Sequence, residues 1–423
     1  MSWNLRYTIV SYLRSTLWIV PVVALAFEQA TLKIAYVREL DFGFIPGFGI
    51  GAGAISALME FIVTMMISFI VFTFGSLLVA IQVASGQLSP RIIATTLLRD
   101  NVIRFTVGLF IYTLLLAMAV RIREEAISHT FASLTGVLAV GCVVAFLILI
   151  DHAARLMRPV NIVWRVGQQG IEAIGQVYPH LIADSEVAPR KHEKLGPPDR
   201  VILHSGTSAI VIAVNLKALI ASATKADGVI ELAPRVGDFV AVDEPLFLLR
   251  GGATAIGDSV LRGQVAFGRE RTIEQDSTFA FRVIVDIAIK ALSKAINDPT
   301  TAVLAIDQLH RLLRMVGKRQ LHDENIRDGD GQLRVIFRTP NWEDFVQLAL
   351  SEIRLYGAEN FQVARRLRAM IENLIENLSE HRLPALRREL DLLDRALEKL
   401  HLFPEDLALA RVPDSQGLGG SSL

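Results

Sequence analysis

From Phe61 to Val83 the chain runs without a single charged side chain. Such a run fixes the solvent before it fixes the fold. Bilayer hydrocarbon, about 30 Å thick, offers no partner to an exposed backbone amide, so crossing it takes about 20 apolar residues in helix. Thr130 to Ile150 meets the same requirement, and Phe105 to Val120 meets it once Arg104 and Arg121 reach outward to the interfaces. Leu17 to Phe27 is shorter and is read as a first span extended through Tyr12 to Thr16 or onward through Glu28 toward Tyr36. Trp3, Tyr7, Tyr12 and Trp18 serve as its interfacial aromatics. A cleaved leader is the rival for this segment. No small-x-small site closes its apolar run cleanly and three more spans follow, so it is kept as an uncleaved span.

Charge is partitioned the same way. Residues 1–158 hold 19 of the 86 charged side chains, which leaves the remaining 265 residues soluble in character. Basic residues resist translocation, and an inside N-terminus keeps Arg6, Arg14, Arg91, Arg99, Arg104, Arg155, Arg158 and Arg165 on the cytoplasmic side. Only Arg38, Arg121 and Arg123 then fall outside. The expectation is four spans with both termini cytoplasmic. A formal net charge of zero gives no electrostatic case for a nucleic-acid partner, and the single Cys142 excludes a disulfide within one chain.

The stretch from Gln82 to Arg91 interrupts the apolar sequence with amides and hydroxyls. Gln82, Ser85, Gln87, Ser89 and Arg91 are candidates for lining a wet vestibule or contacting a partner helix. The structural alternative is a helix start, with Ser89 as cap and Pro90 in the first turn. Gly47, Gly49, Gly51 and Gly53 read as a flexible turn or a close helix approach rather than a dinucleotide loop, because no βαβ unit surrounds them. Glu28 and Lys33 read as interfacial residues at the outer end of the first span.

Ser-Ala-Leu-Met-Glu (56–60), Val-Ala-Ser-Gly-Gln-Leu-Ser-Pro-Arg (83–91), the pair Gln275-Asp276 and Ala-Leu-Ser-Lys-Ala-Ile-Asn-Asp-Pro-Thr-Thr-Ala (291–302) carry a family resemblance. Through them, from about Arg14 to about residue 380, the chain resembles the bacterial predicted membrane proteins of domain of unknown function 2254. The resemblance implies an inner-membrane protein with an N-terminal multi-span part and a cytoplasmic C-terminal part, and it supplies no catalytic residues. Lys294 stands where the family pattern has a turn-forming residue, which implies a longer local helix.

The soluble half begins with an amphipathic helix over Asn161 to Tyr178 and a charged, Pro-rich linker over Asp184 to Arg200. Short β-rich runs between Val201 and Arg250 suggest a small barrel-like module. Arg235 to Leu246 looks like the turn and strand of biotinyl and lipoyl barrel-sandwich domains, but no carrier lysine string accompanies it. Phe279 to Ile296 is an apolar helix with a stripe of Arg282, Asp286, Lys290 and Lys294. Asp286 stands four residues before Lys290, the favourable ion-pair order. Asn297, Asp298 and Pro299 stop it and cap the next helix, which runs from Thr300 to Met315. Two readings of this region stand side by side, a capped hinge and a ligand site. The candidate ligand residues are Asp276, Arg282, Asp286, Lys290, Asn297, Asp298 and Thr300. Helices follow at Trp342 to Tyr356, Phe361 to Ser379 and Leu383 to Leu402, with Asn341 as a cap.

The expected fold is an α-helical membrane protein of four transmembrane helices with a cytoplasmic α+β domain containing a small β-barrel-like module. Its segments are 1–158 for the spans, 159–200 for helix and linker, 201–262 for the β-rich module, 263–412 for the helical region and 413–423 for a disordered tail. No paired-histidine metal motif, P-loop or nucleophile elbow is present, so a non-enzymatic role with no metal and no cofactor is expected. The favoured role is an oligomeric inner-membrane channel or transporter with a cytoplasmic sensing domain. Its partners are the lipid bilayer, further copies of the chain and a small-molecule or ion ligand. The alternative is a membrane-anchored scaffold or sensor that binds a cytoplasmic partner without conducting.

Overall fold

A computed structural model describes residues 2–15, 19–38, 52–87, 100–122, 129–156, 158–182, 195–321 and 325–420. The first helices along the chain are α1 (Trp3–Ser15), α2 (Ile19–Arg38), α3 (Ala52–Gln87), α4 (Asn101–Ile122), α5 (His129–Leu156) and α6 (Pro159–Val177). Residues 12–86 and 90–162 form one compact unit, and residues 1–11, 87–89 and 163–423 form the other.

In the first unit α4 packs against both α2 and α5. Its core takes Met59, Ile62 and Met66 from α3, Val107, Phe110 and Ala117 from α4, and Ala139, Cys142 and Leu149 from α5. Phe69 stacks on Phe146 with centroids 4.1 Å apart. Thr64, Ser68 and Thr73 each bond the carbonyl four residues back, so these hydroxyls need no partner from outside the helix. Among the described residues three stretches are long and apolar enough to cross a membrane, Gly53–Gln82, Asn101–Ile122 and Phe131–Arg155. The expected number was four. The fourth expected span falls in α2, where Glu28 is buried.

The second unit holds eight described strands in two sheets. β1 (Arg200–Leu203), β3 (Gly228–Leu232), β5 (Pro245–Gly251), β7 (Asn325–Arg327) and β8 (Leu333–Phe337) form a five-stranded sheet in the order β1-β5-β3-β8-β7. β2 (Ala209–Val214), β4 (Phe239–Val240) and β6 (Val265–Gly268) form the other, in the order β4-β2-β6. Among the described residues no closed barrel exists, which corrects the barrel-like module. β8 arrives from far along the chain and pairs with β3 in parallel, so the antiparallel β1-β5-β3 set extends outward instead of curling onto itself. Ile230, Leu232, Phe247, Leu249 and Val335 fill the core beneath α7 (Leu216–Ala226) and α8 (Asp258–Arg262). Trp3 and Tyr7 of α1 cover the smaller sheet at Ile210, Ile212, Ala213 and Ala266, and the Asn4 amide donates to the Gly263 carbonyl at 3.1 Å.

The helical part consists of α9 (Ser277–Ala291), α10 (Pro299–Gly317), α11 (Trp342–Gly357), α12 (Phe361–Asn377), α13 (Leu383–Leu400) and α14 (Pro404–Ala410). α9 packs on α10 and α11, and α10 packs on α12. At Gly170 of α6 an added Cβ would lie 2.8 Å from Ala280 Cβ, so the bare backbone is what lets α6 approach α9. The helix expected to reach Ile296 ends at Ala291, because Ser293 and Asn297 turn the chain and the Asp298 amide closes back onto the Ala291 carbonyl at 2.8 Å. Lys294 therefore lies in a turn, not in an extended helix. The tail read as disordered is seated as far as Gly420: Arg365 donates to the Val412 and Gly419 carbonyls, each at 2.9 Å.

Candidate functional site

Asp276 ends an irregular segment and caps α9. Its Oδ1 accepts from the Phe279 amide at 3.1 Å and from the Thr278 hydroxyl at 2.5 Å. Gln275 anchors the same segment by accepting from the Val214 amide of β2 at 2.9 Å. The second oxygen, Oδ2, accepts no hydrogen bond, although the residue is only 5% exposed. The nearest cation is Arg271 Nη1 at 3.9 Å. Burial pushes the Asp276 carboxyl above the usual carboxylate range, and Thr278, Arg271 and the cap amides offset only part of that push.

Three other elements close around this oxygen. The turn from Arg235 to Asp238 is held by its own Asp238 carboxylate, which accepts from the Arg235 amide at 2.8 Å. Gly237 sits there at φ +93°, and a side chain at this position would overlap Asp276 Oδ2. β8 delivers Arg338 and Thr339, and α11 brings Asp344. Asn341 and Asp344 form a reciprocal capping box, with bonds of 2.8 and 3.0 Å, and Arg235 Nη1 lies 3.9 Å from Asp344. The result is a cavity of about 240 Å³ whose lining includes Tyr178, Phe337 and Leu348 together with Arg235, Arg271 and Arg338. Two of its carboxylates, Asp238 and Asp344, are engaged by local amides, while the buried Asp276 Oδ2 accepts no hydrogen bond and has only the Arg271 guanidinium, at 3.9 Å, beside it. Such a set suits an anion that also carries a hydrogen-bond donor.

The other candidates do not converge here. Arg282 donates to Asp286 at 2.7 Å and to Glu352 of α11 at 3.2 Å, so that part of the stripe ties two helices together. Burial would lower the Arg282 pKa, but Glu352 and Asp286 together hold it above its ordinary value. Lys290 lies fourteen residues beyond Asp276, about 21 Å along the helix. Asn297 occupies the left-handed region at φ +49°, Asp298 caps α10 by accepting from the Thr301 amide at 3.0 Å, and Thr300 is exposed. Of the vestibule candidates, Gln82 is exposed on α3. The side chains of Ser85 and Gln87, and Ser89 and Arg91 altogether, lie outside the described residues.

Arg271, Arg338 and Asp344 carry no motif of their own and escaped the sequence reading, while Arg235 was read only as part of a turn. A second polar cluster was equally hidden. His310 Nε2 meets Asn373 Oδ1 at 2.9 Å and its Nδ1 accepts from Arg366 at 3.2 Å, which specifies the neutral ring. Burial, with Arg366 and Arg314 nearby, pulls its pKa below the ordinary histidine value.

Helices long and apolar enough to cross a membrane, followed by an α+β unit with a polar cavity, define a membrane protein with a second, α+β part. The chain belongs to the family described as Predicted membrane protein (DUF2254), whose family model matches residues 13–373. It is similar to Uncharacterized protein Rv1290c of Mycobacterium tuberculosis and Uncharacterized protein Mb1321c of Mycobacterium bovis. Each is 26% identical over 432 residues, covering 96% of this chain and 81% of the relative. No solved structure matches the chain.

Proposed function

We propose that this is a non-catalytic, four-span protein of the bacterial inner membrane whose cytoplasmic unit senses a small anionic ligand at the start of α9. The observation that carries the reading is a cavity lined by Arg235, Arg271, Arg338 and the buried Asp276, whose Oδ2 accepts no hydrogen bond. A buried acceptor without a partner is unfavourable by about 1–3 kcal/mol, a deficit that a bound donor would remove. The packing of α1 in the same unit as the C-terminal sheets supports four spans rather than three, and the distribution of arginines favours both ends inside. The sensor is proposed to act on an oligomeric conducting path, for which the exposed Gln82 at the end of a span is the supporting feature. Sensing without conduction, through a cytoplasmic partner, is the second reading.

Full-length protein in nanodiscs, titrated with pyrophosphate as probe by calorimetry, tests the site. Saturable binding is expected, weakened about tenfold or more in Arg271→Ala and Arg338→Ala and unchanged in Arg282→Ala. Failure of the wild type to bind pyrophosphate or inorganic phosphate would sink the anion site. Ion flux in proteoliposomes that changes in Gln82→Leu supports the channel, and binding without flux at any voltage assigns the partner reading.

A further inference from the structure

Within the membrane unit, α2 and α4 leave a trough of about 530 Å³ between them. Its walls are apolar, and Gly108 sets its width: an added Cβ there would stand 2.9 Å from Val20 Cγ1, so the two helices touch at that level. Polar groups occur only at the two ends. Asn101 and Arg104 mark the end where α4 begins, and the Tyr112 hydroxyl, bonded to Thr31 Oγ1 at 3.1 Å, closes the other. Asn101 to Tyr112 is eleven residues, about 16 Å of helix, which is about half of a 30 Å hydrocarbon core. The trough is therefore one leaflet deep. The start of α4 lies beside the end of α5, where Asp100 meets His152 Nε2 at 3.0 Å, and α5 leads directly into the soluble part of the chain.

We propose that this trough binds one acyl chain of an anionic phospholipid, with Arg104 holding the phosphate at its mouth. The open wall faces hydrocarbon: Val23, Phe27 and Phe105 are 54%, 68% and 78% exposed. A free helix face of that composition in a membrane is covered by lipid tails, and a recess one leaflet deep seats a tail lengthwise. The charge selects the headgroup. Arg104 donates to the Leu13 carbonyl at 3.1 Å, which holds the guanidinium at this end of the trough, and its positive charge is what a phosphate pairs with. Basic residues at the cytoplasmic ends of interhelical pockets hold anionic headgroups in this way. The volume lies within the usual range of built ligand sites.

The test uses full-length protein in mild detergent, with phosphatidylglycerol or phosphatidylcholine added, read by native mass spectrometry and thermal unfolding. One phosphatidylglycerol is expected to stay on each chain and to raise Tm more than phosphatidylcholine does. Arg104→Gln is expected to abolish the preference between the two lipids, a loss of about tenfold in relative retention. Val23→Trp, on the exposed wall, is expected to expel both lipids while leaving the lipid-free Tm unchanged. Arg104→Gln alters no wall and decides the matter if Val23→Trp folds poorly. Equal retention of the two lipids by the wild type, or undiminished preference in Arg104→Gln, overturns the proposal. So does a dimer that Val23→Trp dissociates with no lipid bound, since the trough then holds a second copy of the chain.

Discussion

Asp276 and Asp414 are both buried carboxylates that cap backbone amides, yet their surroundings push them in opposite directions. Asp414 is buried, which by itself would raise its pKa, but amides of Gly419, Gly417 and Gln416 at 2.7, 2.9 and 3.0 Å, with Arg365 nearby, hold it below the ordinary value. Its contribution to stability is present above the unfolded pKa, about 3.9, and is lost as pH falls through the lower folded value. Asp276 is the reverse. Its folded pKa is raised, so its contribution is full below the unfolded pKa and declines as pH rises through the folded value. Burying its charged form therefore opposes folding as pH rises. Asn keeps the cap acceptor and removes the charge. Asp276→Asn is therefore expected to be at least as stable as the wild type at pH 7.5 and to lose that advantage at about pH 4. Urea titrations of the full-length protein across that range check it, and a variant weaker at every pH would refute the assignment. The sequence offered Asp276 as a candidate ligand residue but not as a cap, and it did not single out Asp414. Pro413 to Gly420 reads as a loose tail because its anchors, Arg365 and Gln362, lie 47 to 55 residues earlier.

At the scale of elements, what was local was legible. Apolar periodicity and caps marked α10 through α13 to within a few residues, and Asn341, Asp298 and Pro299 stand where caps and first turns were expected. The sheets were not, because the parallel pairing of Ile230 with Val335 joins residues about a hundred positions apart and leaves no periodic trace. That pairing also carries Arg338 to the cavity, so the site was hidden together with the sheet. The junction of α9 and α10 tests the two readings of 297–300. As a hinge it needs only a left-handed residue at 297 and a side-chain acceptor at 298. Asp298→Ala is expected to cost about 1 kcal/mol, and Asn297→Gly to stay within about 0.5 kcal/mol of the wild type. Thermal unfolding measures both. Anion binding that disappears in Asn297→Gly while stability is kept would show the Asn297 side chain to be part of a ligand site instead.

For the whole molecule, the decisive constraint is one of parity. Trp3 and Tyr7, stacked with centroids 5.3 Å apart, lie on the sheet that contains Ala213 and Ala266, and Asn4 bonds to Gly263. A helix cannot pack on a sheet from the other side of a bilayer, so residues 3–11 and 201–268 share one side. The proposed topology therefore needs an even number of crossings between them. Three apolar helices make an odd number, and α2, whose 20 residues extend about 30 Å, is the element able to supply the fourth. Hydropathy alone left it marginal because Glu28 interrupts the apolar sequence, but Glu28 is buried within the unit and removed from hydrocarbon. Single cysteines in a Cys142→Ser background, placed at Ser2, at Gly47 between α2 and α3, and at Ser415, decide the matter with a membrane-impermeant maleimide on intact cells. Ser2 and Ser415 are expected to be protected until the cells are permeabilised, and position 47 to be labelled from outside. Labelling of Ser2 and position 47 from the same side would mean that α2 does not cross, and the even count would then require one of the three apolar helices to stop short of crossing as well.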